Sequence, residues 1–438
     1  MFSYYLNLAL RSLKRNPVLT ALMVLAIGLG IGASMTMITV LHVMSGDPIP
    51  GRSAQLFYPH LDPLPSNYGN NPHAPDASAD FTWVDAMALL QAHRAEHQAA
   101  MSGGALLVRP SQMDLQPFYA DGRYTTPDFF SMFGMPFMSG RAWSQQEEDA
   151  KARVVVLSND LAQKLCGGKT CIGQEVRFGD NDFRVIGITD NWNPQPQFYS
   201  DDTGDLFSDP DQFFLPLSTA VDLKLGVSGN QSSWCKNSST DDERTSGCMT
   251  WLQVWVQLKN QEQVSAYRQF LVNYSAQQKA LGRFQRPATN AKLYSLMGWL
   301  AHQNLVPTDI KLQLWLAVGF LFVCMVNIVA LLLAKFLRRS SEISVRRAMG
   351  AGQRDIFIQF SIESAIIGLA GGALGLGIAE LGLWSVRQRP DDYARLAQMD
   401  VSMLLSTLVL ALFASVLAGM LPAWRACRVP PASLLKTQ

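Results

Sequence analysis

The chain contains a short segment that ends like a phosphate-binding loop. Between Cys166 and Cys171 it reads Gly-Gly-Lys-Thr. A loop of the G-x-x-x-x-G-K-[ST] type also needs a glycine five positions before the glycine that precedes the lysine, because its backbone N–H groups surround the phosphates. That position is Gln163 here. We therefore interpret 166–171 as a turn between two cysteines and not as a nucleotide site.

A second segment has the spacing of a zinc peptidase motif. His93, Glu96 and His97 fit the pattern H-x-x-E-H, in which a helix places two ligands on one face. Apolar residues recur at helical spacing from Trp83 and predict a helix over 81–100, which suits the motif. A zinc site needs a third protein ligand, however, and the sequence nominates none. We interpret the histidines as part of a solvated helix face, and we expect no catalytic residue, cofactor or bound metal.

Two acidic residues, Glu363 and Glu380, fall inside an otherwise apolar window. Acids inside a membrane span are costly and often mark proton pathways. Both lie within about two turns of an end of the window, where a carboxylate can reach polar surroundings or a neighbouring helix. We favour a structural role for both, and a proton relay stays an alternative.

Four of the six cysteines form two local pairs, Cys166 with Cys171 and Cys235 with Cys248. An even number of clustered cysteines is typical of an oxidising compartment. The alternative is a metal site of four thiolates, but these spacings match no common zinc pattern. We favour two disulfides, and other pairings stay open because four cysteines allow three connectivities.

The elements that must position these residues include four apolar windows. Of the 438 residues 48% are hydrophobic and only 16% are charged, below the usual value of about 25%. Each window exceeds the roughly 20 residues that cross a bilayer as a helix. The first is also longer than the about 7–15 apolar residues of a secretory signal, so we expect it to be retained. The windows are residues 18–44, 312–334, 356–386 and 401–424.

The charges of the connecting segments predict the orientation. Residues 1–17, 335–355 and 425–438 together carry 12 basic and two acidic residues, whereas 45–311 carries 21 basic and 28 acidic residues. Basic residues of short loops stay in the cytoplasm. We therefore expect those three segments to be cytoplasmic, and 45–311 and 387–400 to lie outside. The net charge of +1 argues against a general nucleic-acid binder.

The outside segment has the pattern of a mixed α/β domain. Alternating apolar runs predict strands at 154–157, 175–178 and 183–188. Residues 190–250 are rich in Asp, Ser, Asn and Pro and look like a surface insertion in a domain of two lobes. The predicted fold class is therefore an α-helical membrane protein of one plus three helices, with a large α/β domain between the first and second helices.

Glycines recur at four-residue spacing in two of the predicted membrane helices. Small residues at this spacing let two helices approach closely. Such contacts serve either pairing with a second copy or ordinary packing within the chain, and the sequence leaves both open. The glycines concerned are Gly28, Gly32, Gly368, Gly372 and Gly375.

Several motifs resemble the MacB/FtsX-type permeases of ABC transporters. Residues 342–351 read Glu-Ile-Ser-Val-Arg-Arg-Ala-Met-Gly-Ala, similar to the family signature E-I-x-V-R-R-A-x-G-A. Residues 421–435 resemble the closing motif of the same family, and 126–130 with 154–158 resemble its periplasmic core. The matches extend over nearly the whole chain and follow the one-plus-three order of helices.

The resemblance implies a mechanical role in a bacterial inner membrane. Segment 340–355 would dock on a cytoplasmic ABC ATPase, which alone binds ATP and magnesium. Closure of that ATPase would draw two permeases together and move their periplasmic domains. The chain shows no ATPase domain of its own, so we expect the ATPase to be a separate subunit. The residues assigned to this contact are Glu342, Val345, Arg346, Arg347, Gly350, Ala351 and Arg354.

The resemblance leaves the cargo and the partner permease open. We favour export of a peptide, natural product or antibiotic with a periplasmic adaptor and an outer-membrane channel, by two permeases that are identical or related. The alternatives are release of lipoproteins to a carrier and regulation of cell-wall hydrolases in the manner of FtsX. The predicted insertion at 190–250 exceeds the family core, which leaves contacts with cargo and adaptor undefined.

Overall fold

The computed structural model describes residues 11, 15–68, 80–110, 115–167, 171–200, 206–235, 243–338, 345, 349–350, 352–389, 392–399 and 401–427. The chain divides into two compact units. The membrane unit comprises residues 1–45 and 306–438, and the sheet unit comprises residues 46–305.

Helices and strands occur in both units in the following order. The helices are α1 Pro17–Ser45, α2 Trp83–Gln91, α3 Asp128–Phe133, α4 Gln145–Asp149, α5 Asn159–Cys166, α6 Leu217–Asp222, α7 Gln261–Ala280, α8 Leu296–His302, α9 Thr308–Arg338, α10 Gln353–Arg387, α11 Asp392–Leu396 and α12 Val401–Cys427. The strands are β1 Leu56–His60, β2 Phe81–Thr82, β3 His97–Arg109, β4 Phe118–Thr125, β5 Phe137–Gly140, β6 Val154–Ser158, β7 Glu175–Phe178, β8 Asn181–Thr189, β9 Phe213–Pro216, β10 Ser232–Ser233, β11 Met249–Gln257 and β12 Lys292–Ser295.

Among the described residues, four helices are long and apolar enough to cross a membrane, namely α1, α9, α10 and α12. Their most apolar windows have mean hydropathies of 2.2, 2.8, 1.8 and 2.4. Each predicted window lies within one of these helices, and polar residues extend several helices by a turn or less. The predicted order of one helix, an α/β domain and three further helices is confirmed.

The membrane unit is held together by a stripe along α1. Met23, Ile27, Ile31 and Met35 recur every four residues and are buried against the other membrane helices. The side chains of residues four apart lie on the same face of a helix. Because lipid tails are as apolar as these side chains, close packing and not burial from water stabilises such contacts.

One mixed sheet crosses the sheet unit. The described strands pair in the order β12-β1-β11-β3-β4-β9-β6-β8-β5, and β7 forms a hairpin with β8. The pairs β4–β9 and β6–β8 are parallel, whereas the other pairs along this path are antiparallel. The described strands of 46–305 are therefore connected in one sheet, and the division of this segment into two lobes stays a prediction.

Both faces of this sheet are covered. In β6, Val155 and Leu157 belong to one buried cluster and Val154 and Val156 to another. Alternate side chains of a strand point to opposite faces, so a continuous apolar run is expected when both faces are buried. Residues of α2, α5, α6 and α7 join the first cluster, and those of α3 and α8 join the second.

Two predictions for the sheet unit need correction. The helix predicted over 81–100 ends at Gln91, and His97 already begins β3. The predicted insertion at 190–250 contains β9, whose four residues are buried between β4 and β6. The strands predicted at 154–157, 175–178 and 183–188 are confirmed as β6, β7 and β8.

Candidate functional site

Before α10, a hydrogen bond of helical spacing closes a turn between the described residues Val345 and Met349. The Met349 N–H donates to the Val345 carbonyl across 3.1 Å, and Gly350 follows with a φ of +101°. Glycine adopts this conformation without the strain that a side chain would add. Gly352 then caps α10 in an extended conformation.

This turn exposes two apolar side chains. Val345 is 57% exposed and Met349 is 76% exposed, and their four-residue spacing places them on the same side of the turn. Arg354, in the first turn of α10, is also exposed. An exposed apolar pair of this kind suits insertion into a groove of a partner protein.

The remaining residues assigned to ATPase coupling lie outside the described residues. They are Glu342, Arg346, Arg347 and Ala351. The structure thus places Val345, Gly350 and Arg354 close to the start of α10, and the coupling assignment itself stays a prediction.

A buried ion pair joins the ends of α9 and α10 that flank this segment. The Lys335 ammonium contacts the Glu363 carboxylate, and both side chains are almost completely buried. Phe336 stacks on Phe360 beside this pair, with ring centroids 4.0 Å apart. A buried charge needs a partner because its removal from water is costly. The ion pair and the stacked rings therefore fix α9 to α10 at this end.

Sequence reasoning missed the partner of Glu363. It treated Lys335 as one of the basic residues of a cytoplasmic segment. The available signal was a lysine at the end of one membrane helix and an acid near the facing end of the next. The second acid of α10, Glu380, pairs with Arg387 on the same helix. Both contacts agree with a structural role, although they do not test a proton relay.

The predicted packing glycines lie at contacts within the chain. A Cβ on Gly32 would lie 2.6 Å from Ile378 Cγ2, and a Cβ on Gly28 would lie 2.9 Å from Leu374 Cδ2. Such separations are well below the usual carbon–carbon contact of about 3.5–4.0 Å. These two glycines therefore allow α1 to approach α10 closely.

The glycines of α10 form two rows. Gly375 faces Ile31 of α1, whereas Gly368 faces Ser415 and Gly372 faces Ala411 of α12. The five predicted glycines thus pack α10 against α1 and α12, and pairing with a second copy is not needed to explain them. Gly371 belongs to the same glycine-rich run, and a Cβ at this position would lie 2.5 Å from Ile27 Cγ2 of α1.

The cysteines and histidines of the sheet unit are placed as follows. Cys166 and Cys171, and Cys235 and Cys248, lie at disulfide distance, with S–S separations of 1.93 and 1.94 Å. These are the two local pairs favoured from the sequence.

The histidines of the H-x-x-E-H segment do not share a helical face. His93 follows α2 with a φ of +45°, whereas His97 begins β3 and lies 3.4 Å from the Asp128 carboxylate. Across the part of the chain that the structure describes, no group of three or more His, Cys, Asp or Glu side chains could hold a metal. The zinc-site reading therefore has no support in these residues.

Two adjacent glutamates of α4 show opposite pKa shifts. Arg141 donates two hydrogen bonds to Glu147, at 2.7 and 2.8 Å, and these bonds lower the pKa of Glu147 to about 2. Glu148 is buried, and burial raises its pKa. Its carboxylate accepts hydrogen bonds from the Trp143 indole and the Ser218 backbone N–H, both at 2.8 Å.

Two families of sequence match the chain. The MacB-like periplasmic core domain matches residues 20–274, more than half of the chain, and the FtsX-like permease C-terminal domain matches residues 314–431.

Individual relatives have longer chains. The macrolide export ATP-binding/permease protein MacB of Escherichia coli is 25% identical over 439 aligned positions, which cover 99% of this chain and 60% of the relative. The pyoverdine export ATP-binding/permease protein PvdT of Pseudomonas aeruginosa is 24% identical and is covered to 50%. The chain thus spans about half the length of these curated relatives.

A similar solved structure is the periplasmic region of MacB from Actinobacillus actinomycetemcomitans. The TM-score is 0.37 at 13% identity, covering 57% of this chain and 94% of that region.

The order of elements and the two family matches agree. An α/β sheet unit stands between the first and second of four membrane helices. The match to the periplasmic core domain covers the first helix and most of the sheet unit, and the match to the permease domain covers the last three helices. The chain therefore belongs to the MacB/FtsX family of ABC transporter permeases.

Proposed function

We propose that this chain is a permease subunit that receives ATP-driven motion at its cytoplasmic side and relays it to the sheet unit. The observation that carries the proposal is the exposed apolar pair of Val345 and Met349, which lies a few residues before the start of α10 in the sequence. A partner ATPase that binds Val345 and Met349 would move the start of α10 when the ATPase changes conformation.

The contacts of α10 suit it for passing on such a displacement. Lys335 and Glu363 fix its first half to α9, and the glycine contacts seat it against α1. The sheet unit joins the membrane unit in sequence at Gly46 and Leu305, where α1 ends and the approach to α9 begins. Motion of α1 and α9 would thus act on both connections of the sheet unit.

The proposed orientation puts residues 46–305 in the periplasm of a bacterial inner membrane. The basic residues of the short segments support a cytoplasmic location for the turn at Val345. The two cysteine pairs of the sheet unit suit an oxidising compartment.

We propose a separate ABC ATPase, which supplies ATP and magnesium binding, and a second permease copy or a related permease as partners. The names of the two relatives favour export as the activity, with a peptide, natural product or antibiotic as cargo. An adaptor and an outer-membrane channel would complete the route. Lipoprotein release and control of wall hydrolases stay the alternatives, and the protein that co-purifies with the chain distinguishes them.

The test is ATP hydrolysis by the ATPase that co-purifies with the tagged full chain. Met349→Asp puts a charge on the apolar turn, so we expect it to reduce stimulated hydrolysis about tenfold, the effect of losing about 1.4 kcal/mol of contact energy. Met138→Asp, at an exposed methionine of the sheet unit, is the matched control and should leave hydrolysis unchanged. Full stimulation by Met349→Asp would contradict the proposed docking site.

A further inference from the structure

The sheet unit contains a cavity of about 580 Å³ that the relay described above does not use. It lies between α2, the start of α3 and the end of α4. Cavities of about 300–1,000 Å³ are typical of sites for small ligands.

One wall of this cavity is apolar. Trp83, Met87 and Leu90 line it from a single face of α2. Each is partly exposed, and the Trp83 ring lies parallel to the buried Trp251 ring, 6.3 Å between centroids. This wall offers a partly exposed aromatic and aliphatic surface to the cavity.

Another part of the lining carries an excess of carboxylates. Asp128, Glu148 and Asp149 line it. The lysine of the lining, Lys151, forms an ion pair with Asp222, so its charge is already balanced. Each Glu148 oxygen accepts one hydrogen bond, and a carboxylate oxygen can accept two. The wall therefore has spare capacity for hydrogen-bond donors.

A buried acceptor without a partner gives independent evidence for a ligand. Gln98 lines the cavity and is only 8% exposed. Its amide nitrogen donates to the Leu90 carbonyl, but its Oε1 atom has no hydrogen-bond partner among the described residues. Its backbone N–H donates to Asp128. Buried acceptors are normally satisfied, so an unsatisfied one beside an acidic wall indicates a missing donor.

We propose that this cavity binds a small cationic amphiphile. A protonated amine or a guanidinium would donate to Asp128, Glu148 and Gln98, and an attached aromatic or aliphatic group would pack on Trp83 and Met87. Binding would occur in the sheet unit itself and would not require an ATPase, so this inference goes beyond the proposed relay and can fail without it.

The experiment measures binding by calorimetry with the full chain in lipid nanodiscs, with empty nanodiscs as the blank. The probe is phenylalanyl-lysine amide, which carries two positive charges and an aromatic ring. The matched control ligand is the same dipeptide with both amines acetylated, which is neutral. We expect a dissociation constant on the order of 0.1 mM for the cationic probe and at least tenfold weaker binding of the neutral one.

Variants locate the site. Trp83→Leu and Asp149→Asn should each weaken the cationic probe about threefold to tenfold, and Glu175→Gln, at an exposed acid outside the lining, should not change binding. Glu148→Gln is a less clean variant because Glu148 also accepts from Trp143 and Ser218. Unchanged melting temperatures of Trp83→Leu and Asp149→Asn show that each variant is folded.

Three results would overturn the proposal. They are the absence of binding heat at millimolar probe, equal binding of the cationic and the acetylated dipeptide, and full affinity of Trp83→Leu and Asp149→Asn. Stimulated ATP hydrolysis does not enter the measurement, so a failed cavity and a failed relay give different outcomes.

Discussion

In the sheet unit, large aromatic side chains such as Phe129, Phe133 and Trp255 fill the interior. By contrast, the described contacts between membrane helices include glycines, hydrogen bonds from small hydroxyl side chains and the buried pair of Lys335 with Glu363. The hydrophobic effect drives the packing of the sheet unit, because folding removes apolar surface from water. Lipid offers no such gain, and helices therefore associate through close packing and polar contacts.

The difference bears on function. A sheet covered by two apolar clusters moves as a body, because its interior is densely packed and resists deformation. Helices that pack at rows of glycines have few interlocking side chains at their interface. A few specific contacts therefore determine which pairs of helices keep their relative position. Among the described residues of the membrane unit, the ion pair of Lys335 with Glu363 is one such specific contact, between α9 and α10.

The largest expected loss of folding stability in the membrane unit comes from removing one member of the Lys335–Glu363 ion pair. Glu363→Ala leaves the Lys335 ammonium buried without its carboxylate, which costs about 3–5 kcal/mol. Unfolding of the full chain in detergent, followed by tryptophan fluorescence and by loss of helical signal, measures the change. The double variant Lys335→Met with Glu363→Met should be more stable than either single variant, and equal losses in all three would contradict the pairing.

A smaller loss of folding stability is expected when a glycine at a helix contact is replaced by a larger residue. Gly371→Val places a Cβ 2.5 Å from Ile27 Cγ2, and overpacking of this kind costs about 1–3 kcal/mol. Gly377→Val is the matched control on the same helix, because no side chain or other helix among the described residues lies within 4 Å of its Cβ position. Thermal unfolding should separate the two variants. Equal melting temperatures would show that α1 and α10 do not approach closely at Gly371.

The smallest effects concern the two glutamates of α4 in the sheet unit. The pKa of Glu147 is lowered from 4.5 to about 2, so its contribution to stability is present above about pH 4.5 and is lost as pH falls toward 2. The pKa of Glu148 is raised, so its contribution is present below the unfolded value and is lost as pH rises.

Replacement of each glutamate should therefore change a different limb of the stability–pH curve. Glu147→Gln should flatten the acid limb by at most about 1 kcal/mol, since Arg141 is largely exposed. Glu148→Gln should reduce the loss of folding stability that occurs as the pH rises. Urea unfolding at several pH values checks both directions, and a change of the same sign in both variants would contradict the assigned shifts.

The sequence predicted the elements with long, regular patterns. The four membrane helices were evident from apolar windows that exceed the length needed to cross a bilayer. The strands β6 to β8 followed from short apolar runs, which are continuous in β6 and alternate with polar residues in β7 and β8. The local cysteine pairs followed from their spacing and the predicted compartment.

Shorter or non-local features could not be predicted. Strand β9 has four residues between polar stretches, and its place in the sheet depends on β4 and β6, which are distant in sequence. The end of α2 was missed because residues 92–100 contain no glycine or proline, the residues that most often signal the end of a helix. The partner of Glu363 required knowledge of which helices are neighbours.

The most direct test of the relay is a distance measurement between two copies of the chain in nanodiscs with their ATPase. Spin labels at Tyr119→Cys, an exposed position of the sheet unit, would be added in a background in which Cys324 and Cys427 are replaced by alanine. Trapping the ATPase with ATP should shift the distance distribution by several ångströms, and Glu363→Ala should reduce that shift. An unchanged distribution under ATP trapping, with hydrolysis at the full stimulated rate, would contradict the account.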